Sequence, residues 1–149
     1  PNTGMVVTHD VSSYPNCHAP NKQDVGKRLA LWALAKTYGK SGLVYSGPIY
    51  KSMEVTGGPG PAKIRVQFDY TGGGLASRDG KLLDHFTIAG EDKKFVEAKA
   101  AIDGKSVLVW SDAVAKPVAV RFGWRQDADP NLMNKEGLPA PCFRTDKWN

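Results

Sequence analysis

The stretch Lys63-Ile64-Arg65-Val66-Gln67-Phe68-Asp69-Tyr70 alternates charged or polar residues with apolar ones. Because successive side chains of a β-strand point to opposite faces of its sheet, this alternation predicts a strand with one buried face and one face in water. Residues 117–124 repeat the pattern, with Val118, Val120, Phe122 and Trp124 on the apolar side. The sequence therefore predicts sheets with one buried face and one solvent-exposed face.

Further short segments around these two strands extend the same architecture. We expect additional strands at residues 48–55, 86–89, 97–102 and 106–110. Glycine-rich turns separate them, and Asp103-Gly104, between two strand patterns, is the strongest hairpin signal. Short strands at this spacing predict an antiparallel β-sandwich over residues 44–149.

The first 43 residues show a different pattern. Residues 4–11 are mostly apolar and β-branched, which predicts a strand buried on both faces of a parallel sheet. A proline-containing loop follows, and Asn21 is placed to cap a helix that we expect to run from Lys22 to Tyr38 and to end at Gly39. The predicted fold class is α/β plus all-β, with a terminal βα unit at residues 1–43 and the sandwich at 44–149.

Composition narrows the function classes. The chain has 149 residues and a net charge of +5, with basic residues spread among acids, so no nucleic-acid interface is predicted. We find no transmembrane stretch and expect no membrane partner. The spacing of His9, Asp10, Cys17 and His18 matches no standard zinc site, and no cofactor is predicted. Cys17 and Cys142 could form a disulfide or remain two unpaired thiols.

His18 is the candidate catalytic residue, because it lies on the loop between the predicted strand and the helix. Catalytic groups gather beyond the carboxyl ends of parallel strands. A histidine becomes a general base when an acceptor fixes its tautomer and a serine hydroxyl lies about 3 Å away. No nucleophile motif accompanies His18: Ser12 and Ser13 lack a strained turn, and Gly39-Lys40-Ser41-Gly42 follows a helix instead of a strand.

Several blocks of this sequence strongly resemble the C-terminal part of sialate O-acetylesterases, which are SGNH or GDSL-like hydrolases. The resemblance covers nearly the whole chain, and its combination of segments is more specific than any single one. The blocks are PNTGMVVT at residues 1–8, HAPNKQDVGKRLALWALA at 18–35, YSGP at 45–48, HFTIAG at 85–90, PVAVR at 117–121 and NKEGLPAPCFRTD at 134–146.

The resemblance implies that His18 is the catalytic histidine of an enzyme that hydrolyses acetyl esters of sialic acid or a related glycan. It also implies that the nucleophilic serine and the oxyanion donors lie upstream of this chain, so that the chain alone is inactive. The orienting acid departs from the family pattern, because Pro15 and Asn16 stand where an acidic residue is common. Asp10 could orient His18, Asn16 could do so as a neutral acceptor, or a backbone carbonyl could complete a Ser-His dyad.

An alternative hypothesis treats the β region as a noncatalytic module that binds glycan or braces the hydrolase domain. Trp110 and Trp124 are candidate sugar-stacking platforms, although alternating strand aromatics are more often core residues. The expected partners are an acetylated carbohydrate and the upstream hydrolase portion. From the resemblance we expect a secreted or periplasmic protein.

Overall fold

Among the residues that the structure describes, the β-strands lie after residue 48 and the helices lie before it. The computed structural model describes residues 3–12, 18–57 and 62–148. A 3-10 helix at His9–Val11 and the helix α1 at Lys22–Lys36 come first. The strands are β1 Ile49–Thr56, β2 Lys63–Asp69, β3 Leu75–Ser77, β4 Phe86–Ala89, β5 Val96–Glu97, β6 Lys99–Asp103, β7 Ser106–Trp110, β8 Ala119–Phe122, β9 Leu132–Asn134 and β10 Phe143–Arg144.

Two four-stranded sheets and one two-stranded sheet organise these strands. The sheet orders are β1-β2-β7-β6, β10-β8-β4-β5 and β3-β9, and every pair of strands described is antiparallel. Both four-stranded sheets contribute to one hydrophobic cluster, Ile64, Val66, Val107 and Val109 from the first, and Phe86, Ile88, Val120 and Phe122 from the second. The prediction of an antiparallel, β-rich region is therefore confirmed.

Strand β2 shows why the alternating sequence adopts this structure. Ile64 and Val66 are fully buried and pair with Val109 and Val107 of β7, while Gln67 faces water. Burying such side chains contributes about 1.5–3 kcal/mol each relative to leaving them exposed. The predicted hairpin is also present, because Asp103 pairs with Ser106 across a two-residue turn in which Gly104 has φ 63°.

The predicted strand at residues 97–102 is divided in two. Val96–Glu97 pairs with β4, whereas Lys99–Asp103 pairs with β7 of the other sheet. Ala98 is therefore the point at which the chain crosses between sheets, a tertiary feature that local alternation does not encode. The short strands β3, β9 and β10 were also not predicted, because two or three residues carry too little periodicity.

The predicted strand at residues 4–11 is not formed. Residues 3–8 have no regular structure, and His9–Val11 is a 3-10 helix. A strand needs hydrogen-bonded neighbours, and no strand in the described part of the chain runs beside this segment. The segment instead lies on helix α1, so closely that a Cβ on Gly4 would be 2.9 Å from the Trp32 ring.

Helix α1 begins where the sequence predicted. The side chain of Asn21 accepts a hydrogen bond from the Asp24 amide at 3.1 Å. The helix ends at Lys36, two residues before the predicted end, and Gly39 adopts φ 66° while the Lys40 amide donates to Leu34 O at 2.9 Å. Within the described residues, no helix is long and apolar enough to cross a membrane.

The apolar stripe of α1 does not cover a sheet as expected. Leu29 is 50% exposed, and the only residue of the helix that is buried is Arg28. The stripe is only partly covered: Trp32 packs against Tyr45 and the N-terminal segment, while the parallel sheet expected to cover Leu29 is not formed by the described residues. The proposed division between residues 43 and 44 stays a prediction.

Candidate functional site

His18 lies on an exposed bend immediately before helix α1. The residues around it are well anchored: Ala19 is buried, and the Lys22 ammonium donates to Ala19 O at 2.6 Å. The Asn21 cap also donates through its side-chain amide to Asp24 at 2.7 Å. His18 is thus an exposed residue next to a well-anchored helix start.

Asp10 forms a buried ion pair with Arg28. Both carboxylate oxygens accept hydrogen bonds from the guanidinium, at 2.7 and 2.6 Å, and their side chains are only 9% and 10% exposed. Arg28 also donates to Val7 O at 2.6 Å. Such a bidentate ion pair fixes the relative orientation of the two side chains as well as their distance. It joins the segment before the His18 loop to the helix that follows the loop.

Sequence reasoning missed Arg28, although a signal for it was present. Arg28 lies three residues after Val25 and four before Trp32, so it stands within the apolar stripe of the helix. A charged residue in that position needs a partner when it is buried. Asp10 is that partner, and this anchoring role is separate from its predicted role as the acid that orients His18.

The orienting group of His18 stays a prediction. Each oxygen of Asp10 already accepts one hydrogen bond from Arg28, and a carboxylate oxygen can accept a second. Asn16, the other candidate, lies outside the described residues, and so does Cys17. Cys142 carries a free, exposed thiol.

His9 anchors the same segment to the C-terminal part of the chain. Its Nε2 lies 3.0 Å from Ala140 O, so Nε2 carries the proton and donates it to that carbonyl. Arg78 also reaches across, donating to Asp10 O at 3.4 Å. Among the described residues, no three His, Cys, Asp or Glu side chains are grouped to hold a metal ion.

The described serine near His18 is turned toward the backbone. Ser12 Oγ donates to Thr8 O at 2.7 Å, so its proton is directed away from an imidazole acceptor. Ser41 lies in an exposed turn after helix α1. Ser13 lies outside the described residues, and the absence of a nucleophile from this chain stays a prediction.

Aromatic residues connect helix α1 to the β region. The Trp32 and Tyr45 ring centroids are 4.9 Å apart, and those of Tyr45 and Tyr70 are 5.6 Å apart. The Lys36 ammonium lies 4.7 Å from the Tyr45 ring centroid. The pKa of the Tyr45 phenol is lowered, mainly by its hydrogen bond with Lys36 and less strongly by its hydrogen bond with Tyr70. This contact places the helix against the β region.

A second contact brings together two of the sequence blocks that carry the family resemblance. Gly47 is buried against the backbone of residues 138–139, where an added Cβ would overlap Pro139 O and lie 2.7 Å from Leu138 O. Buried Asn134 supports the junction by donating to Ser46 O at 3.0 Å and accepting from the Leu138 amide at 2.9 Å. Blocks 45–48 and 134–146 therefore form one structural unit.

The two candidate platform tryptophans both lie outside the buried core. Trp124 follows the end of β8 and is 50% exposed, and Trp110 is partly exposed with the Lys63 ammonium 4.4 Å from its ring centroid. The interpretation of these rings as core residues is therefore wrong. Trp124 leaves the predicted alternation because Gly123, with φ 59°, turns the chain before it.

Comparison with known proteins supports the resemblance seen in the sequence. No protein-family model matches the chain. Sialate O-acetylesterases from Pongo abelii and Homo sapiens are each 26% identical to it over 154 aligned positions, covering 96% of this chain and 29% of theirs. A crystal structure described as a novel carbohydrate acetylesterase from Xanthomonas citri is 46% identical with a TM-score of 0.86, covering 93% of this chain and 31% of that one.

The chain thus spans less than a third of the length of these relatives. Its similarity to sialate O-acetylesterase-like carbohydrate esterases is confirmed.

Proposed function

We propose that this chain is the part of a carbohydrate O-acetylesterase that supplies the general base, His18, to a serine nucleophile upstream of the chain. The observation that carries the proposal is the similarity to carbohydrate esterases across nearly the whole chain, together with the exposed position of His18 on an anchored loop. The substrate is an acetyl ester of sialic acid or of a related glycan.

The proposed chemistry assigns one proton-transfer role to this chain. The serine hydroxyl attacks the acetyl carbonyl while His18 accepts its proton, and backbone amides upstream hold the oxyanion. The tetrahedral intermediate then expels the sugar alkoxide, which takes the proton from His18 and leaves an acetyl-serine. A water molecule, deprotonated by His18, then attacks the acetyl carbon, and the second tetrahedral intermediate releases acetate while His18 returns the proton to the serine oxygen.

The anchoring ion pair supports this role for the loop. A general base must be held within hydrogen-bond reach of the proton that it abstracts. Arg28, by holding Asp10 and Val7 O, fixes the chain before the loop, and the Asn21 cap fixes the chain after it. Asp10 is one candidate for the group that selects the tautomer of His18, and Asn16 or a backbone carbonyl is the alternative.

The uncovered face of helix α1 provides the place at which the rest of the hydrolase domain would pack. A groove of about 800 Å³ runs along this face, lined by Gly4, Leu29, Trp32 and Ala33 among others. Met5, 71% exposed, lies in the same N-terminal segment. Apolar surface of this kind marks an interaction site in a protein that otherwise has a closed core. In the SGNH arrangement that we propose, a parallel sheet would cover it.

Hydrolysis of p-nitrophenyl acetate by this chain alone, and by the full-length parent protein, tests the proposal. We expect no turnover above background from the chain alone and clear turnover from the parent. In the parent, His18→Ala should lower kcat by about 10²–10⁴-fold, the usual contribution of general base catalysis. Gln23→Ala, an exposed change on the first turn of α1, is the matched control and should leave kcat unchanged.

Two results would contradict the proposal. One is His18-dependent turnover by the isolated chain, which would mean that the nucleophile is present in it. The other is full activity of the His18→Ala parent.

Secretion or a periplasmic location, which we also propose, is tested by fractionating cells that express the parent.

A further inference from the structure

The outer face of the sheet β10-β8-β4-β5 carries a row of polar side chains. The strand register pairs Arg144 with Arg121, Arg121 with Thr87, and Thr87 with Glu97, so each strand contributes one residue. Their neighbours along the strands are buried in the core, as Phe86, Ile88, Val120, Phe122 and Phe143 show. Because side chains alternate along a strand, the row lies on the face opposite the core.

Aromatic rings border this row. The guanidinium carbon of Arg121 lies 4.0 Å from the Phe95 ring centroid and 5.7 Å from that of Trp124. The guanidinium carbon of Arg144 lies 5.5 Å from the Trp124 ring centroid. These contacts hold the Trp124 ring at the edge of the row while half of its surface stays exposed to solvent.

The polar row and the rings enclose a cleft. It has a volume of about 190 Å³ and is lined by His85, Thr87, Phe95, Glu97, Arg121 and Trp124 among others. Sites for drug-sized molecules measure about 300–1,000 Å³, so this cleft suits a single small ring. Its walls combine apolar ring surface with hydrogen-bond donors and acceptors, which matches a ligand that carries hydroxyl groups around an apolar ring face.

The charges at the cleft are nearly balanced. Arg121 donates twice to buried Asp146, at 2.9 Å in each case, and Arg125 donates to both oxygens of Asp127, at 3.0 and 2.9 Å. Glu97 adds one negative charge at the rim. Two of the five N–H groups of Arg121 are used by Asp146, and the others remain to donate. The balance favours a neutral ligand over an anionic one.

His85 in the cleft wall has an unusual backbone conformation. Its backbone has φ 55°, a left-handed conformation that costs a residue other than glycine energy. The Gly123 amide donates to His85 O at 2.9 Å and holds this conformation, which places His85 in the cleft wall. Strained residues of this kind concentrate at ligand sites.

We propose that this cleft binds one neutral pyranose ring of a glycan, with the apolar ring face against Trp124 and the hydroxyls bonded to Glu97, Thr87 and Arg121. The site would hold a glycan without acting on it. His18 is not among the residues that line the cleft, and binding there does not depend on the proposed esterase function.

Titration of the ¹⁵N-labelled chain with oligosaccharides tests this inference. The probes are cellohexaose, xylohexaose and mannohexaose as neutral glycans, and 3′-sialyllactose as an anionic one. The four tryptophan indole N–H signals report on the site, after assignment with single Trp→Phe variants. We expect at least one neutral probe to shift the Trp124 signal with a Kd below about 1 mM, and the Trp110 signal to stay in place.

Variants separate a binding cleft from a merely structural face. Trp124→Ala and, independently, Glu97→Gln should weaken binding at least about ten-fold, whereas Trp110→Ala on the other sheet should not. Thermal unfolding of each variant checks that the fold is intact. The His18→Ala chain should bind as the wild type does, which distinguishes this site from the esterase proposal. Absence of binding by all three neutral probes, preference for sialyllactose, or equal binding by Trp124→Ala would overturn the inference.

Discussion

The parts of the chain before and after Gly47 bury their apolar residues very differently. Among the described residues, every buried apolar side chain except that of Ala19 lies after Gly47. Before it, Met5 is 71% exposed, Leu29 50% and Tyr38 74%. The N-terminal region is held by specific contacts, notably the Asp10–Arg28 pair and the His9–Ala140 hydrogen bond.

The two regions have similar apolar content, but one buries its apolar side chains and the other leaves many of them exposed. The β region closes its own core, because its two main sheets supply both sides of it. The N-terminal region has an apolar stripe but no second layer to cover it, and a helix is stabilised mainly by packing of that stripe. We therefore expect stability to reside in the β region, and we expect the position of His18 to depend on the polar anchors around it.

The largest expected effect follows from truncating a buried side chain in the core of the β region. Phe122 is fully buried, with its ring 4.6 Å from that of Phe86 and 5.5 Å from that of Phe143, measured between centroids. Phe122→Ala should lower the free energy of unfolding by about 3–5 kcal/mol. Leu82→Ala, at a site 84% exposed, is the control and should change it by less than about 0.5 kcal/mol. Urea denaturation followed by circular dichroism measures both values.

The next effect lies at the junction between the two regions. Gly47→Ala places a Cβ against Pro139 O, where backbone must move, and should cost about 1–3 kcal/mol or more. Gly26→Ala is the matched control, because nothing lies within 4 Å of its added Cβ and the site is helical. That variant should gain about 0.5–1 kcal/mol. If both variants unfold at the same urea concentration, the junction tolerates separation of residues 47 and 139.

A smaller global effect is expected from the N-terminal anchor. Arg28→Met leaves the Asp10 carboxylate buried without its partner, a change that costs about 3–5 kcal/mol when the surroundings cannot open. Here the segment before the loop can open and expose Asp10 to water. Hydrogen exchange should therefore accelerate in residues 3–12 and 18–36, while the urea midpoint of the β region changes little.

The control for this anchor is the Asp10→Leu/Arg28→Met double variant. It removes both charges, so part of the hydrogen-exchange protection should return. A fall in the urea midpoint as large as that of Phe122→Ala would instead show that the N-terminal region supports the core, and the contrast between the two regions would be lost.

The same contrast governs how much could be predicted from the sequence. Alternation placed β2 closely, and capping residues placed the start of α1, because those signals are local. The strand predicted before His18 required neighbours elsewhere, and the described residues provide none. The position of His18 was read correctly as a loop before a helix, whereas the Arg28 anchor needed the fold, since its partner is 18 residues away. The cleft beside Trp124 combines residues from three strands and the turns around them, which no single motif records.

The smallest effect concerns acid stability of the β region. Hydrogen bonds from Ser77, the Lys81 amide and Asn131 lower the pKa of Asp79 from 3.8 to about 2. Because the folded value lies below the unfolded one, Asp79 stabilises the protein fully above pH 3.8 and loses this contribution as the pH falls through about 2. Asp79→Asn should thus be less stable than wild type at pH 7, and the difference should shrink on acidification. Ser77→Ala, which removes the strongest of these donors, should raise the pKa of Asp79 in a ¹³C NMR titration. An unchanged titration would contradict this expectation, because it would mean that the Lys81 amide and Asn131 suffice to lower the pKa of Asp79.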